Sequence, residues 1–415
     1  MEQVNETNED SDSEAKTDIE DEEYRGSIMY GETSLKYHLR PRKTICRKDI
    51  LPLDNEAFRR EVTGVATFES MYSDYQEKVK AKEAELSSLP SYPEIIFLGT
   101  ASSIPGKYRN VSSIMLRLSE DKCMLLDCGE GTIGQLYRHF GDDASKMLQG
   151  MEAVYLSHLH ADHHMGLYSV LNARAQALAE VGEDYRSRCL LLAPGVYHRW
   201  QHVFDTNMFP YDHLINHVPL EYLWEGNVAD HKDQYAALLE QLQLSQLRTV
   251  RVYHKQNPHG LILTHRDGWK LVYSGDTKPC GLLIKEGLDC DILIHEATME
   301  DELSHLAAIN KHSTTSQAIE VGVNMRARFI LLTHFSQRYS HTPPINERFN
   351  DRVGVAFDNM RVRMRDLQLL PIFSPLLKEM FKEKYEMMEE KSNKLLRKKE
   401  KEKRAREQAS VSHPS

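Results

Sequence analysis

Short apolar runs recur through the middle of this chain, and most stop on a residue able to bind a metal or move a proton. Met124-Leu125-Leu126 runs into Asp127-Cys128-Gly129-Glu130-Gly131-Thr132. Ala153-Val154-Tyr155-Leu156 runs into Ser157-His158-Leu159-His160-Ala161-Asp162-His163-His164. Val272-Tyr273 leads to Ser274-Gly275-Asp276, Ile294 to His295-Glu296, and Phe329-Ile330-Leu331-Leu332 to Thr333-His334. Ile95-Ile96-Phe97-Leu98, ending at Gly99-Thr100, and Leu190–Ala193, ending at Pro194, have the same texture. Such short runs, apolar at successive positions and closed by turn residues, read as strands buried on both faces. Helical stretches lie between them, such as 165–181 with Leu167, Val170, Leu171 and Leu178 near helical spacing. Strands alternating with helices predict a layered α/β fold, which gathers its chemistry beyond the carboxyl ends of its strands.

The flanks have a different composition. Residues 1–23 hold eleven Asp/Glu against Lys16, which accounts for the whole formal net charge of −10. Residues 1–40 therefore read as an acidic disordered tail. Residues 41–92 read as a helical linker, with one or two amphipathic helices over 55–86 before Ser-Ser-Leu-Pro-Ser-Tyr-Pro breaks the pattern. The α/β region spans 93–372. Residues 373–415 read as a charged helical tail, with nine Lys/Arg and three Glu over 391–407. That run reads as a solvated helix or a nuclear-import patch. The remaining body is net negative, so charge alone gives it no hold on nucleic acid. Six scattered cysteines without a Cys-x-x-Cys pair indicate reduced thiols and an intracellular protein. No membrane-spanning run and no targeting peptide is read in the sequence.

His-x-His-x-Asp-His puts four metal-capable side chains within six residues at one strand end. Imidazole and carboxylate together suit zinc. Later strand ends complete a dinuclear site. His158, His160 and His254 are assigned to one ion, Asp162, His163 and His334 to the other, and Asp276 bridges them. Each shell keeps room for water, which marks a catalytic rather than a structural centre. With both shells filled, His164 is left out.

These motifs resemble the metallo-β-lactamase superfamily and, within it, tRNase Z, from about Pro93 to about Pro371. The loop Pro105-Gly106-Lys107-Tyr108-Arg109-Asn110 resembles the branch's Pro-x-Lys-x-Arg-Asn loop. His295-Glu296-Ala297-Thr298, His312-Ser313-Thr314 and Leu332-Thr333-His334-Phe335-Ser336-Gln337-Arg338-Tyr339 resemble three more of its motifs. His38-Leu39-Arg40-Pro41-Arg42-Lys43 resembles the segment before the catalytic half of the long form. Residues 254–260 depart from the long form's Cys-x-x-Ala-Phe-Gly pattern, which makes His259 a rival ligand to His254, but the 22-residue spacing from His254 to Asp276 fits the family register and favours His254.

The resemblance implies an αββα sandwich, two zinc ions per chain and removal of the 3′ trailer from precursor tRNA. It implies that Asp162 orients the attacking hydroxide and that His312, held by Glu296, protonates the leaving oxygen. Asp127 and His295 are expected to orient ligand imidazoles. Lys107, Arg109 and Asn110 are expected to contact substrate, with Gln337, Arg338 and Tyr339 near the metal rim. Residues 195–247 occupy the interval where short forms carry a tRNA-gripping arm, yet they hold seven Asp/Glu against Arg199 and Lys232. The expectation is that an arm-bearing amino-terminal half or a partner grips the tRNA. Nucleus, mitochondrion and cytosol all suit such an enzyme, and monomer and homo-oligomer are both admitted. Another phosphodiesterase or an ester or thioester hydrolase is the alternative on this fold. An inactive binding half would have lost ligands, and a redox di-iron protein would want Glu at position 160.

Overall fold

Parity along the apolar runs decides the architecture. Ile95 and Phe97 pack into one core, while Ile96 and Leu98 pack into another. Successive side chains of a strand face opposite ways, so a run apolar at every position must be covered on both sides. The same division holds at Tyr155 against Val154 and at Leu331 against Ile330.

The computed structural model describes residues 67–387 apart from 183–187, 208–209, 225–226, 338–348, 350 and 383–385, together with 36–38, 44–46, 56 and 60. The chain divides into two compact units, Met1–Lys48 and Asp49–Ser415. In the first, β1 (Lys36–His38) pairs antiparallel with β2 (Thr44–Cys46), setting Tyr37 opposite Ile45. The acidic run at 1–23, residues 39–43, Arg338, Tyr339 and the basic run at 391–407 lie outside the described residues.

The second unit carries the sandwich. Its strands are β3 (Glu94–Gly99), β4 (Ser113–Arg117), β5 (Cys123–Cys128), β6 (Met151–Tyr155), β7 (Cys189–Ala193) and β8 (Ile215–Pro219), then β9 (Leu244–Arg251), β10 (His259–His265), β11 (Lys270–Tyr273), β12 (Ile292–Glu296), β13 (Phe329–Thr333), β14 (Val353–Val355) and β15 (Met360–Arg363). One sheet has the order β15-β3-β4-β5-β6-β7-β8 and the other β14-β13-β12-β11-β10-β9. Its main helices are α1 (Phe68–Ala81), α2 (Thr132–Phe140), α3 (Ala161–His164), α4 (Leu167–Glu180), α5 (Tyr197–Asn207), α6 (Lys232–Gln241), α7 (Thr315–Asn324) and α8 (Leu370–Met380). Phe97, Tyr155, Leu263 and Leu331 fill the space between the sheets. Leu136 of α2 and Leu171 of α4 cover the outer face of the first sheet, and Ile319 and Val321 of α7 cover that of the second. The result is helix, sheet, sheet, helix. Among the described residues no helix is long and apolar enough to cross a membrane.

The strand pairing levels the ends that matter. Leu126 of β5 lies opposite Tyr155 of β6, Tyr273 of β11 opposite Ile294 of β12, and Glu296 of β12 opposite Thr333 of β13. The strands within each pair run parallel, so their carboxyl ends emerge side by side. The two sheets are tied at this edge: the Tyr273 hydroxyl donates to Asp127 Oδ2 at 2.6 Å, and His259 N donates to the Ser157 carbonyl at 2.9 Å.

Residues 196–247, which hold α5 and α6, also contain β8 and the start of β9. Ile215-Asn216-His217-Val218-Pro219 has little apolar signal because it is an edge strand, where proline and polar residues are tolerated. The region does not project as an arm among its described residues: Tyr197, Leu214, Leu220 and Leu238 are buried in the sandwich cores. At the far end, α8 packs against α1, with Phe373 edge-on to Tyr75 at 6.1 Å between ring centroids.

Candidate metal centre

The end of β6 turns straight into the one-turn helix α3, which carries Asp162 and His163 inward while His158 and His160 lie on the approach. Asp276 follows β11 through Gly275, which sits at φ +55°; a side chain there would bring its Cβ to 2.8 Å from the Ser157 Cβ. Glycine is thus required both by conformation and by the close approach of the two sheets. His334 follows β13 at φ +59°, and Asp127 ends its own run at φ +57°. Non-glycine residues rarely adopt this conformation, and here it occurs at two site positions.

The donors meet as two clusters around one carboxylate. Asp276 Oδ2 lies 3.7 Å from His158 Nε2 and 3.6 Å from His254 Nε2. Its other oxygen, Oδ1, lies 3.5 Å from His163 Nε2 and 3.3 Å from His334 Nε2. Asp162 Oδ2 lies 3.6 Å from His163 Nε2 and 3.5 Å from His334 Nε2. His160 Nδ1 closes the first cluster, 2.8 Å from His158 Nε2 and 3.2 Å from His254 Nε2. The ligand atoms of His158, His160, His254 and Asp276 fall within 4.8 Å of one another, as do those of Asp162, His163 and His334.

The second ring nitrogens fix which lone pairs face inward. His163 Nδ1 donates to Asp127 Oδ2 at 2.7 Å and His254 Nδ1 to the Lys311 carbonyl at 3.0 Å. The Ser157 hydroxyl is spent on Asp127, so the 3.1 Å contact to His158 Nδ1 leaves the imidazole as donor. The Thr298 hydroxyl is likewise spent on Glu296 Oε2 at 2.5 Å, so His334 Nδ1 donates to it at 2.9 Å. Protons held on four Nδ1 atoms leave four Nε2 lone pairs converging on Asp276, the tautomer a metal needs. Among the described residues, His163 Nε2 and His334 Nε2 are buried without a hydrogen-bond partner. Such orphaned acceptors are costly unless a cation meets them. This donor set fits zinc or a similar divalent ion.

Electrostatics agree. Burial works against charge on Asp276, but His334 and His163 outweigh it and hold the carboxyl well below the usual range. Burial likewise opposes charge on Asp162, and His163 and His334 again hold it low. His163 is raised against its own burial by Asp276, Asp127 and Asp162. Carboxylates that attract a proton to this point also attract a divalent cation, which competes with that proton.

Beside the clusters lies a carboxylate–imidazole pair. His312 Nδ1 donates to Glu296 Oε1 at 2.9 Å. Burial opposes charge on His312, yet Glu296 outweighs it and raises the imidazole to about 9. Glu296 is held by the backbone N–H groups of Thr277 at 2.6 Å and Ser313 at 3.1 Å. His312 precedes the Thr314 cap of α7 by two residues.

Other expected residues are placed differently. Asp127 accepts from Ser157, His163 and Tyr273, so it does touch a ligand imidazole. His295 does not: its Nδ1 donates to the Glu296 carbonyl at 2.7 Å and its Nε2 is buried without a hydrogen-bond partner. Its strand position turns the ring into the fold, one residue short of the strand end. Arg109 is 6% exposed, stacks on Phe335 and Phe357, and donates to Thr100 Oγ1 at 2.5 Å and the Ala356 carbonyl at 2.8 Å. It braces the loop from beneath instead of facing solvent. Asn110 donates to the Glu130 carbonyl at 2.9 Å, while Lys107 is exposed beside Tyr108. Residues 106–110 border a cavity of about 550 Å³ shared with Gly131, Arg138 and Phe357. His259 lies away from the donors, its ring 5.7 Å from that of Trp224. His164 donates to the His160 carbonyl at 2.8 Å and packs on Trp200, which keeps it out of both clusters. Burial pushes the Cys128 thiol up to about 12, consistent with an inert core residue. Two contacts had no sequence signal: Ser103 N donates to Asp162 Oδ2 at 2.6 Å, and Thr298 bridges His334 and Glu296.

A family model described as Anti-Pycsar protein Apyc1 matches residues 93–350. The chain is 42% identical over 367 residues to zinc phosphodiesterase ELAC protein 2 of Rattus norvegicus, covering 88% of this chain and 44% of that one. It is 38% identical over 390 residues to the mitochondrial ribonuclease Z of Drosophila melanogaster, covering 92% and 49%. A crystal structure of a long form RNase Z from yeast superposes with a TM-score of 0.62 at 30% identity, covering 70% of this chain and 44% of the other. The chain spans about half the length of the curated relatives it matches. It belongs to the family of the matched model, has the metallo-β-lactamase fold, and is a relative of the long-form ribonuclease Z proteins.

Proposed function

We propose that this chain is a zinc-dependent endoribonuclease that binds two zinc ions and removes the 3′ trailer from precursor tRNA, leaving a 3′-hydroxyl on the tRNA. The observation that carries this reading is the division of the Asp276 oxygens between two donor clusters beside the Glu296–His312 pair. Relatives named ribonuclease Z and zinc phosphodiesterase support the substrate and the metal.

His158, His160 and His254 would hold one ion, Asp162, His163 and His334 the other, with Asp276 between them. A bound pair of divalent ions supplies charge stabilisation for the phosphoryl group and a water of lowered pKa. Asp162, fixed by Ser103 N, orients the attacking water. His312, charged near neutral pH through Glu296, lies near Asp276 and donates to the leaving 3′ oxygen. Lys107 and Asn110, which border the cavity of about 550 Å³, are the residues that would contact the RNA. A relative named mitochondrial supports work on mitochondrial precursors, with a nuclear pool as the second setting.

The test is cleavage of one precursor tRNA with and without a chelator, mapping the cut against the discriminator nucleotide. Chelator-sensitive cleavage at that nucleotide is expected. Hydrolysis of small esters or thioesters without RNA cleavage would assign the centre to another reaction.

A further inference from the structure

The rim around His254 carries groups that the chemistry above does not use. Tyr253, next to that donor, is 50% exposed. Its backbone is fixed at both ends, with N donating to Thr277 Oγ1 at 3.0 Å and its carbonyl accepting from Lys278 N at 3.2 Å. Lys278 Nζ lies 5.3 Å from the Tyr253 ring centroid. Lys311, next to His312, clasps the same donor: its carbonyl accepts from His254 Nδ1, and its Nζ reaches the His254 carbonyl at 3.5 Å. Both lysines are exposed, and among the described residues neither is paired with a carboxylate. A body of net negative charge thus presents two uncompensated cations and an aromatic face beside its proton donor.

The arrangement suits a single-stranded nucleotide. Aromatic rings accept any base by stacking, and ammonium groups neutralise the adjoining phosphates. Position selects the side of the cut. These groups surround His254 and His312, whereas the loop bearing Lys107 and Tyr108 is pinned to Asp162 through Ser103 N. The two lysine–tyrosine pairs thus adjoin different donor clusters, one beside His254 and the other on the loop held to Asp162.

We infer that Tyr253, Lys278 and Lys311 form a nucleotide subsite on the leaving-oxygen side of the scissile phosphate. The ring stacks a base, and the two ammonium groups hold flanking phosphate oxygens. This inference rests on the RNA-hydrolase reading above.

The test compares kcat/KM on an acceptor-stem RNA carrying a short 3′ trailer with that on bis(p-nitrophenyl) phosphate, a diester too small to span the rim. Tyr253→Ala should lower the RNA-to-diester ratio roughly 5- to 100-fold, whereas Tyr253→Phe should hold it within about twofold. Lys278→Ala and Lys311→Ala should each reduce the steepness of the salt dependence of RNA KM by about 0.7 in log–log slope. Equal losses on both substrates would mean that the substitutions disturb the neighbouring donor His254, and would overturn the subsite. Undiminished RNA cleavage by the variants would overturn it too. A wild-type chain that hydrolyses the diester but leaves RNA intact would sink the reading itself and the subsite with it.

Discussion

Thr298 Oγ1 donates to Glu296 and accepts from His334, and it also lies 3.3 Å from His312 Nδ1. One hydroxyl therefore fixes the tautomer of His334 and the position of the carboxylate that raises His312. Thr298→Val keeps the shape but removes both bonds, so metal affinity should fall about 10- to 100-fold in a chelator competition. Thr298→Ser should restore most of it, and equal affinity in Val and wild type would reduce Thr298 to packing. Glu296 can be separated from the metal in the same way. Glu296→Gln removes the charge that raises His312 and should lower kcat about 10²- to 10⁴-fold, with metal content unchanged by elemental analysis. Loss of metal would instead make Glu296 a support of the donors. His295 shows where residue-level reading from sequence stops. A histidine beside a functional glutamate looks like a helper, but strand alternation turns it away.

At the scale of elements, the loop between β3 and β4 exposes one basic side chain and buries another. Its Ser103 reaches a metal donor, its Lys107 faces solvent, and its Arg109 runs inward between Phe335 and Phe357. Arg109→Ala should therefore cost about 2–4 kcal/mol of stability through lost charged hydrogen bonds and packing, read by chemical denaturation. An unchanged midpoint with a raised KM for RNA would put Arg109 in contact with substrate instead. The Lys-x-Arg-Asn pattern gives no hint of this difference, because both stacking aromatics come from segments far along the chain. Strands with continuous apolar runs were legible for the opposite reason: burial on both faces leaves an unbroken signature. Edge strand β8 has a single fully buried residue, Ile215, and no such signature. The positive φ values of Asp127 and His334 were also illegible, since neither is a glycine or asparagine.

On the scale of the whole molecule, the donors straddle both sheets. His158, His160, Asp162 and His163 follow β6, whereas His254, Asp276 and His334 belong to the other sheet's strands. The donor motif and the later strand-end residues could be read from sequence, because strand ends mark where α/β folds collect side chains. Their division between two sheets could not, because pairing order is a long-range property. Bound metal should act as a clamp across the sandwich. Stripping it should lower Tm by roughly 5–15 °C, the shift expected when a ligand bound well above its Kd is lost from a domain this size. Scanning calorimetry of apo and reloaded protein checks this, and coincident transitions would argue against the clamp. The same division has a consequence for biosynthesis. His158 and His334 are 176 positions apart, so at ordinary elongation rates about 10–35 s pass between their syntheses. During that interval the Asp162 cluster lacks His334 and cannot close, whereas the cluster of His158, His160, His254 and Asp276 has all its residues once Asp276 is made. A nascent chain halted before β13 should therefore leave the Asp162 cluster unfilled even where the other cluster takes up metal.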